Sequence, residues 1–135
     1  MSERTLVLVK PDAVSRGLVG EVLGRYERKG LRIVAMDQRT VDGETADRHY
    51  AEHLERDFYP PLRAFVTSGP LVAMVLEGDQ AIAVVRAING ATDGRAAAAG
   101  TIRGDLSLSN RENIVHASDS AESAAREIAI FFPSL

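Results

Sequence analysis

Short apolar runs, each closed by glycine, proline or charged residues, recur along the chain and predict buried β-strands. The first run stops at Lys10-Pro11, and the last one carries His116. The strands predicted in this way cover residues 5–9, 31–36, 71–76 and 113–117.

Apolar residues spaced three and four apart predict helices between these strands. The clearest case has Val19, Val22, Leu23 and Tyr26 on one face, with Gly30 as its stop. Further helices are predicted over residues 45–53, 62–66 and 80–88, the third of them capped by Gly78-Asp79. A final helix follows the polar cluster Ser118-Asp119-Ser120 and places Ala121, Ala124, Ala125 and Ile128 on its apolar face.

Residues 91–112 show no sustained periodicity and contain several Gly, Ser, Thr and Arg residues. An irregular segment of this length inside a small domain is uncommon and is usually functional or mobile. We therefore expect a loop here and regard it as a source of ligand-binding groups.

The order of predicted elements is strand, helix, strand, helices, then strand, helix, strand, helix. Two β-α-β units in one sheet predict a ferredoxin-like α+β sandwich, an antiparallel four-stranded sheet covered by helices, which we expect on one side. A doubly wound parallel sheet is the alternative, although the predicted strands are few for it. A chain of 135 residues favours one domain spanning residues 1–135.

Composition and charge exclude several classes of function. Hydrophobic residues make up 45% and charged residues 26%, as in ordinary globular proteins, and the formal net charge is −3. No overall positive field therefore favours nucleic acid or an anionic membrane. The absence of cysteine excludes disulfides and thiolate metal sites, and the first apolar run is too short for a signal peptide or a membrane span. We expect a cytoplasmic protein with neither a nucleic acid nor a membrane as partner.

The glycine-rich phosphate loops of the Walker and Rossmann types do not occur in the sequence. A nucleotide would therefore have to be held by side chains. Arg86, Thr92 and Arg103 are candidates, because guanidinium groups donate paired hydrogen bonds to phosphate oxygens. The alternative is that the loop arginines face solvent.

His116 is a candidate nucleophile. It lies in a β-like run directly before a capped helix, whose positive end favours anions. Neutral imidazole is a competent nucleophile toward phosphorus near neutral pH, and Glu127 on the following helix could orient the ring. The alternative for a single histidine is a structural role with one hydrogen bond.

Three motifs together resemble the active-site signature of nucleoside diphosphate kinases, and the similarity extends along the whole chain. They are Lys10-Pro11-Asp12, Thr101-Ile102-Arg103-Gly104-Asp105, and Asn113-x-x-His116-Ala117-Ser118-Asp119. The resemblance implies ping-pong transfer of the γ-phosphate of a nucleoside triphosphate, with ATP as the main donor, to a nucleoside diphosphate through a phosphohistidine on His116. It also implies Mg²⁺ held mainly by the nucleotide phosphates rather than by dedicated protein ligands.

The resemblance also assigns roles to single residues. The expected catalytic residues are His116, Glu127, Ser118 and Lys10. The expected nucleotide-binding residues are Lys10, Tyr50, Phe58, Leu62, Arg86, Thr92, Arg103 and Asn113, with Phe58 stacked on the base and Leu62 beside it.

Four positions depart from the family pattern. Ala117 replaces a usual glycine, and its methyl group would be costly if the backbone needed a positive φ. Gly94 and Ala99 replace prolines, which could weaken subunit assembly, and Asn110 replaces an apolar residue that would contact the base. These departures leave open an alternative, a catalytically weak nucleotide-binding or regulatory module of the same fold.

The family resemblance further implies a homo-oligomer. The chain ends at Pro133-Ser134-Leu135, which leaves little C-terminal extension for contacts between subunits. We expect a hexamer rather than a tetramer.

Overall fold

The computed structural model of the chain describes residues 2–135, so that Met1 of the predicted domain lies outside the described residues. Its strands are β1 (Ser2–Val9), β2 (Arg32–Arg39), β3 (Leu71–Asp79) and β4 (Val115–Ala117). Its helices are α1 (Pro11–Ser15), α2 (Val19–Lys29), α3 (Gly43–His49), α4 (Tyr59–Val66), α5 (Ala81–Asn89), α6 (Ile102–Leu106) and α7 (Ala121–Phe131). A short 3₁₀ helix, Ala51–His53, follows α3.

The four strands form one sheet in the order β2-β3-β1-β4, and every neighbouring pair is antiparallel. β1 lies in the interior of the sheet, where Leu8 pairs with Ala73 on one side and with His116 on the other. The predicted antiparallel α+β fold is therefore confirmed, and the parallel alternative is wrong. His116 lies on the short edge strand at one side of the sheet.

Helices cover both faces of the sheet, so the expectation of helices on one side is wrong. Val7 and Val9 pack with α1, α2 and α5 in one core cluster. Leu6 and Leu8 pack with α3, α4 and α7 in the other. The reason is visible in β1 and β3, whose apolar runs are continuous rather than alternating, as in strands that are buried on both faces.

The start of α5 differs from the prediction, because Gly78 and Asp79 belong to β3 instead of capping the helix. Gln80 occupies the N-cap position with φ 53°, a conformation that few residues other than glycine adopt. A distant residue satisfies one free amide of this helix end, since Ile82 N–H donates to Glu3 Oε1 over 3.0 Å. The cap therefore comes from β1.

Two further predictions need correction. The segment 91–112 is not wholly irregular, because it contains α6 with its side-chain cap at Thr101. The buried face of α7 consists of Ala124, Glu127 and Phe131, whereas Ala121 and Ala125 are exposed. A buried glutamate on this face is a polar position inside a core, which apolar periodicity cannot indicate. None of the helices within residues 2–135 has the length and apolar character needed to cross a membrane.

Candidate active site

A strained turn leads into β4 just before His116. Val115 N–H donates to the carbonyl of Asn113 over 2.8 Å, which closes a three-residue turn around Ile114. Ile114 has φ 75°, a rare conformation for a β-branched residue that costs about 1–3 kcal/mol. Such strain persists only where the surrounding structure holds the backbone in place.

Lys10 and Asp12 hold this turn. Lys10 N–H donates to the carbonyl of Ile114 over 2.8 Å, and Ile114 N–H donates to Asp12 Oδ2 over 3.2 Å. Lys10 Nζ donates to Asn113 Oδ1 over 2.8 Å. Both side chains are buried, so the Lys-Pro-Asp motif satisfies the strained backbone from the far end of the sequence.

Burial shifts the titration of both groups. It lowers the pKa of Lys10 to about 8, with a further contribution from the charge of Arg103 and an opposing one from Asp12. Burial also raises the pKa of Asp12, which the hydrogen bond from Ile114 and the charge of Lys10 partly counteract. A buried ammonium group with a lowered pKa is stabilised by any anion that enters the cleft.

Arg103, on α6, ties three backbone segments together. Its Nε donates to Asn113 O over 3.1 Å, Nη1 to Gly90 O over 2.8 Å, and Nη2 to Val115 O over 2.6 Å. A guanidinium carries five N–H donors, so two remain for a ligand. Burial lowers the pKa of Arg103, and the charge of Arg86 adds to that effect. Arg86, on α5, lies beside β4 with Nη1 3.4 Å from Ala117 O.

His116 is held by a buried carboxylate. Its Nε2 lies 3.1 Å from Oε1 of Glu127, a residue that is 5% exposed. Ser118 Oγ donates to the same oxygen over 2.7 Å and accepts the N–H of Leu6 over 3.2 Å. β1, β4 and α7 thus fix the ring through one chain of hydrogen bonds.

The tautomer of His116 follows from this arrangement. A carboxylate only accepts hydrogen bonds, so Nε2 carries the proton and Nδ1 keeps its lone pair. The nitrogen available for attack on an electrophile is therefore Nδ1.

One cleft brings together the residues that the sequence singled out. Its inner end, around His116 and Glu127, has a volume of about 210 Å³, and its outer end, around Phe58 and Leu62, has a volume of about 570 Å³. Lys10, Tyr50, Thr92, Asn113 and His116 line both ends. The inner end is further lined by Arg86, Arg103 and Glu127, and the outer end by Phe58, Leu62 and Asn110. Ser118 lies behind Glu127.

Among the residues of the site to which the sequence assigned no role, three make contacts that shape it. Asp12 had a signal, its place in the Lys-Pro-Asp motif. Arg126 donates to the carbonyls of Arg48 and His49, and its Nη2 lies 3.8 Å from Glu127 Oε2. The His49 ring lies edge-on to His116, with 4.6 Å between the centroids. Nothing in the sequence near Arg126 or His49 indicates the contacts of Arg126 with α3 or of His49 with His116, because these partners come from other elements.

The departures from the family pattern have structural explanations at two positions. Ala117 lies in β4, outside the positive-φ region, and its buried side chain belongs to the core. At Gly94 the N–H donates to Ser109 O over 3.1 Å, and an added Cβ would lie 2.4 Å from Ser107 O. The loop is thus closed around a glycine. Neither Ala117 nor Gly94 therefore supports the alternative of a weakly active binding module. Asn110 is exposed, and its carbonyl accepts a hydrogen bond from Asn113 Nδ2 over 3.1 Å.

Comparison with known proteins agrees with this geometry along the whole chain. The nucleoside diphosphate kinase family profile matches residues 3–135. A nucleoside diphosphate kinase of a Nocardioides species is 72% identical over 135 residues, all of both chains, and that of Cutibacterium acnes is 61% identical over 98% of this chain and 96% of its own.

Solved structures show the same likeness. A halophilic nucleoside diphosphate kinase from Halobacterium salinarum in complex with CDP superposes with a TM-score of 0.95 at 48% identity, covering 98% of this chain and 88% of that one. The enzyme from Aquifex aeolicus gives a TM-score of 0.94 at 43% identity, covering 98% and 96%. From the fold, the cleft and these similarities, the chain belongs to the nucleoside diphosphate kinase family.

Proposed function

We propose that this chain transfers the γ-phosphate of a nucleoside triphosphate to a nucleoside diphosphate through a phosphohistidine on His116. The observation that carries the proposal is the Nε2–Glu127 contact of 3.1 Å, which leaves Nδ1 as the free nucleophilic nitrogen in a cleft lined by cations.

The reaction has two half-steps. The Nδ1 lone pair attacks the γ-phosphorus, the bond from that phosphorus to the β–γ bridging oxygen breaks, and the nucleoside diphosphate leaves with the bond electrons. A second nucleoside diphosphate then attacks the phosphohistidine through a terminal β-phosphate oxygen, and the P–N bond breaks. Glu127 stabilises the positive charge that develops on the ring, while Ser118 holds Glu127 in place.

Cations at the inner end would bind the transferring group. Lys10 and Arg103 have lowered pKa values because they are buried, so that an incoming phosphate compensates charges that the fold leaves poorly solvated. Arg86, Thr92 and Asn113 would complete the phosphate and sugar contacts. The two free N–H groups of Arg103 suit adjacent phosphate oxygens.

The outer end would hold the base. Phe58 is 47% exposed and Leu62 is half-buried, so together they offer an apolar surface on which any base can stack, and Tyr50 lines the same end of the cleft. The Halobacterium relative was solved with CDP, a nucleoside diphosphate. We infer a broad tolerance for the base and ATP as the main donor.

Mg²⁺ is the proposed cofactor. It prefers oxygen ligands, whereas the inner end offers more nitrogen groups, those of Lys10, Arg86, Arg103 and Arg126 among them, than carboxylates. The ion would therefore be held mainly by the nucleotide phosphates, where it neutralises part of their charge. No dedicated set of protein ligands is needed for that role.

We also propose that residues 1–135 form one domain that assembles as a homo-oligomer, a hexamer rather than a tetramer, in the cytoplasm. β2 is an edge strand carrying the half-exposed Met36, and Leu108 is 86% exposed, so both are available for subunit contacts. A chain without cysteine fits a reducing compartment. Light scattering coupled to gel filtration measures the subunit number, and a mass of four subunits would contradict the hexamer.

Labelling tests the nucleophile directly. Incubation with γ-³²P-labelled ATP should leave one acid-labile phosphate per chain on the wild type and none on His116→Ala. His53→Ala is the matched control, because His53 lines the same cleft yet should still be labelled. Equal labelling of His116→Ala would refute the assignment.

A further inference from the structure

His49 is a buried histidine that the phosphate-transfer chemistry does not use. It is 3% exposed, and neither ring nitrogen has a hydrogen-bond partner within residues 2–135. The ring packs edge-on against His116 and Phe131, with centroid distances of 4.6 and 5.4 Å. Burying polar atoms without a hydrogen-bond partner is costly, so the two unpaired ring nitrogens of His49 point to a bound ligand as their partner.

The geometry around His49 matches a metal site. One ligand atom each from His49, His116 and Glu127 lie within 4.8 Å of one another. His116 Nε2 and Glu127 Oε1 are 3.1 Å apart, close to the ~3.3 Å between neighbouring ligands of a tetrahedral ion with bonds of about 2.0–2.1 Å. His49 supplies the third ligand of the set, and both of its ring nitrogens lack a hydrogen-bond partner within the described residues.

We propose that His49, His116 and Glu127 form an inhibitory binding site for a borderline-soft divalent cation, for which Zn²⁺ is the reference ion. Two imidazoles and one carboxylate are a ligand set that zinc accepts, and all three residues line the inner end of the cleft.

The bound ion would block phosphate transfer through the tautomer of His116. A metal on Nε2 takes the lone pair of that nitrogen, and the proton that Nε2 carried moves to Nδ1. Nδ1 then has no lone pair with which to attack phosphorus, and Glu127 Oε1 is occupied. This inhibition rests on the proposed function, whereas the binding of the ion does not.

Calorimetric titration of the nucleotide-free protein with zinc chloride, in a buffer that does not chelate zinc, tests the site without turnover. We expect one ion per chain for the wild type and at least about 10- to 100-fold weaker binding for His49→Gln, the range seen when even a supporting partner is lost. The matched control is His53→Gln, because the chain has three histidines and His53 lines the same cleft. Equal weakening of both variants, or no binding by the wild type, would overturn the site.

X-ray absorption of the wild-type zinc complex keeps the test independent of whether a buried His49 variant folds. Two imidazole ligands per zinc are expected, and fewer than two would overturn the proposal. Zinc should also inhibit ³²P-labelling of the wild type at the occupancy found by calorimetry. Labelling that fails without zinc counts against the proposed function, whereas labelling that survives full zinc occupancy counts against the inhibitory role.

Discussion

The two ends of the cleft hold their side chains in different ways. At the inner end, Lys10, Arg103 and Glu127 are each fixed by hydrogen bonds to the turn before β4, to backbone carbonyls or to the catalytic ring. At the outer end, Phe58 is 47% exposed and Asn110 is exposed, and the cavity is larger. The inner end is preorganised by the fold, whereas the outer end is an open apolar surface.

This difference between the two ends matches the two parts of a nucleotide, its phosphates and its base. Charge that develops during phosphoryl transfer is best stabilised by groups that need not move, and the inner end supplies such groups. A base that changes from one substrate to the next is better served by a stacking surface with few fixed polar groups. Substitutions at the inner end should therefore impair both chemistry and stability, and those at the outer end mainly binding.

The largest effect is expected for Arg103→Leu, which removes hydrogen bonds to Gly90, Asn113 and Val115. Urea unfolding should show a loss of about 2–4 kcal/mol, since hydrogen bonds to charged groups contribute about 1.5–3 kcal/mol each and do not add fully. Stopped-flow turnover should show kcat lower by about 10²–10³-fold, the usual effect of losing one charge-stabilising donor. Arg111→Leu at the outer end is the control, with less than about 0.5 kcal/mol expected. Unchanged stability of Arg103→Leu would refute its structural role.

Lys10 should make stability depend on pH in an unusual direction. The pKa of Lys10 is about 8 in the folded chain, whereas the ordinary value of 10.5 applies to the unfolded chain. Between these two pH values the unfolded chain therefore binds more protons than the folded one. Stability therefore rises with pH across this window, by about 3 kcal/mol in full, because the cost of the buried charge disappears. Urea unfolding at pH 7.5 and 10 measures the rise, and Lys10→Met should abolish it.

The same titration should have the opposite effect on catalysis. Neutral Lys10 attracts phosphate less strongly, so kcat/KM should fall above pH 8 while stability rises. Lys29→Met is the control, because Lys29, the second lysine of the chain, is exposed at the end of α2. If Lys29→Met abolished the rise in stability as well, Lys10 would not be its source.

At the outer end, Phe58→Ala should raise KM by roughly 10-fold and leave kcat within about 2-fold, because stacking on an aromatic contributes about 1–3 kcal/mol per base. Steady-state kinetics with several nucleoside diphosphates measures both constants. Leu54→Ala, which removes a half-exposed apolar side chain that lines neither end of the cleft, should change neither. A fall in kcat as large as that of Arg103→Leu would remove the distinction between the two ends.

The smallest effect is expected for Ala117→Gly, which restores the residue usual in the family. The backbone of Ala117 is in a strand and its methyl group is buried, so glycine should lower the free energy of unfolding by about 0.5–1 kcal/mol without changing turnover. Thermal and urea unfolding provide the measurement. A gain in stability would mean that the alanine is strained.

The sequence located the four strands and most helices, because continuous apolar runs and three-to-four spacing reflect burial directly. The last strand was predicted over residues 113–117, but its first two residues belong to the turn before β4. Gly30 marks the end of α2 with φ 106°, as its position predicted. The Glu3 cap of α5 and the face of α7 were not predictable in this way, because each depends on a partner in another element. Local propensity does not indicate a contact that forms only after the whole sheet has assembled.

The same limit applies to the candidate site. The motif residues around His116 were found because they lie close together in sequence and resemble a known signature. The conformation of Ile114 could not be predicted, since a positive φ at isoleucine contradicts its local preference and is imposed by Lys10 and Asp12. The place of His49 in the site could not be predicted either, because its proximity to His116 follows from how α3 packs against α7.

The turn before β4 also affects when activity can appear during synthesis of the chain. Its hydrogen bonds to Lys10 and Asp12 join residues 103 and 102 positions apart, and Glu127 comes still later. A growing chain folds from its N-terminus, so β1, β2 and β3 can pair before the turn exists, and the loop joining β1 to β4 must close last. Nascent or C-terminally truncated chains therefore lack an assembled nucleophile, and phosphate transfer becomes possible only in the completed molecule.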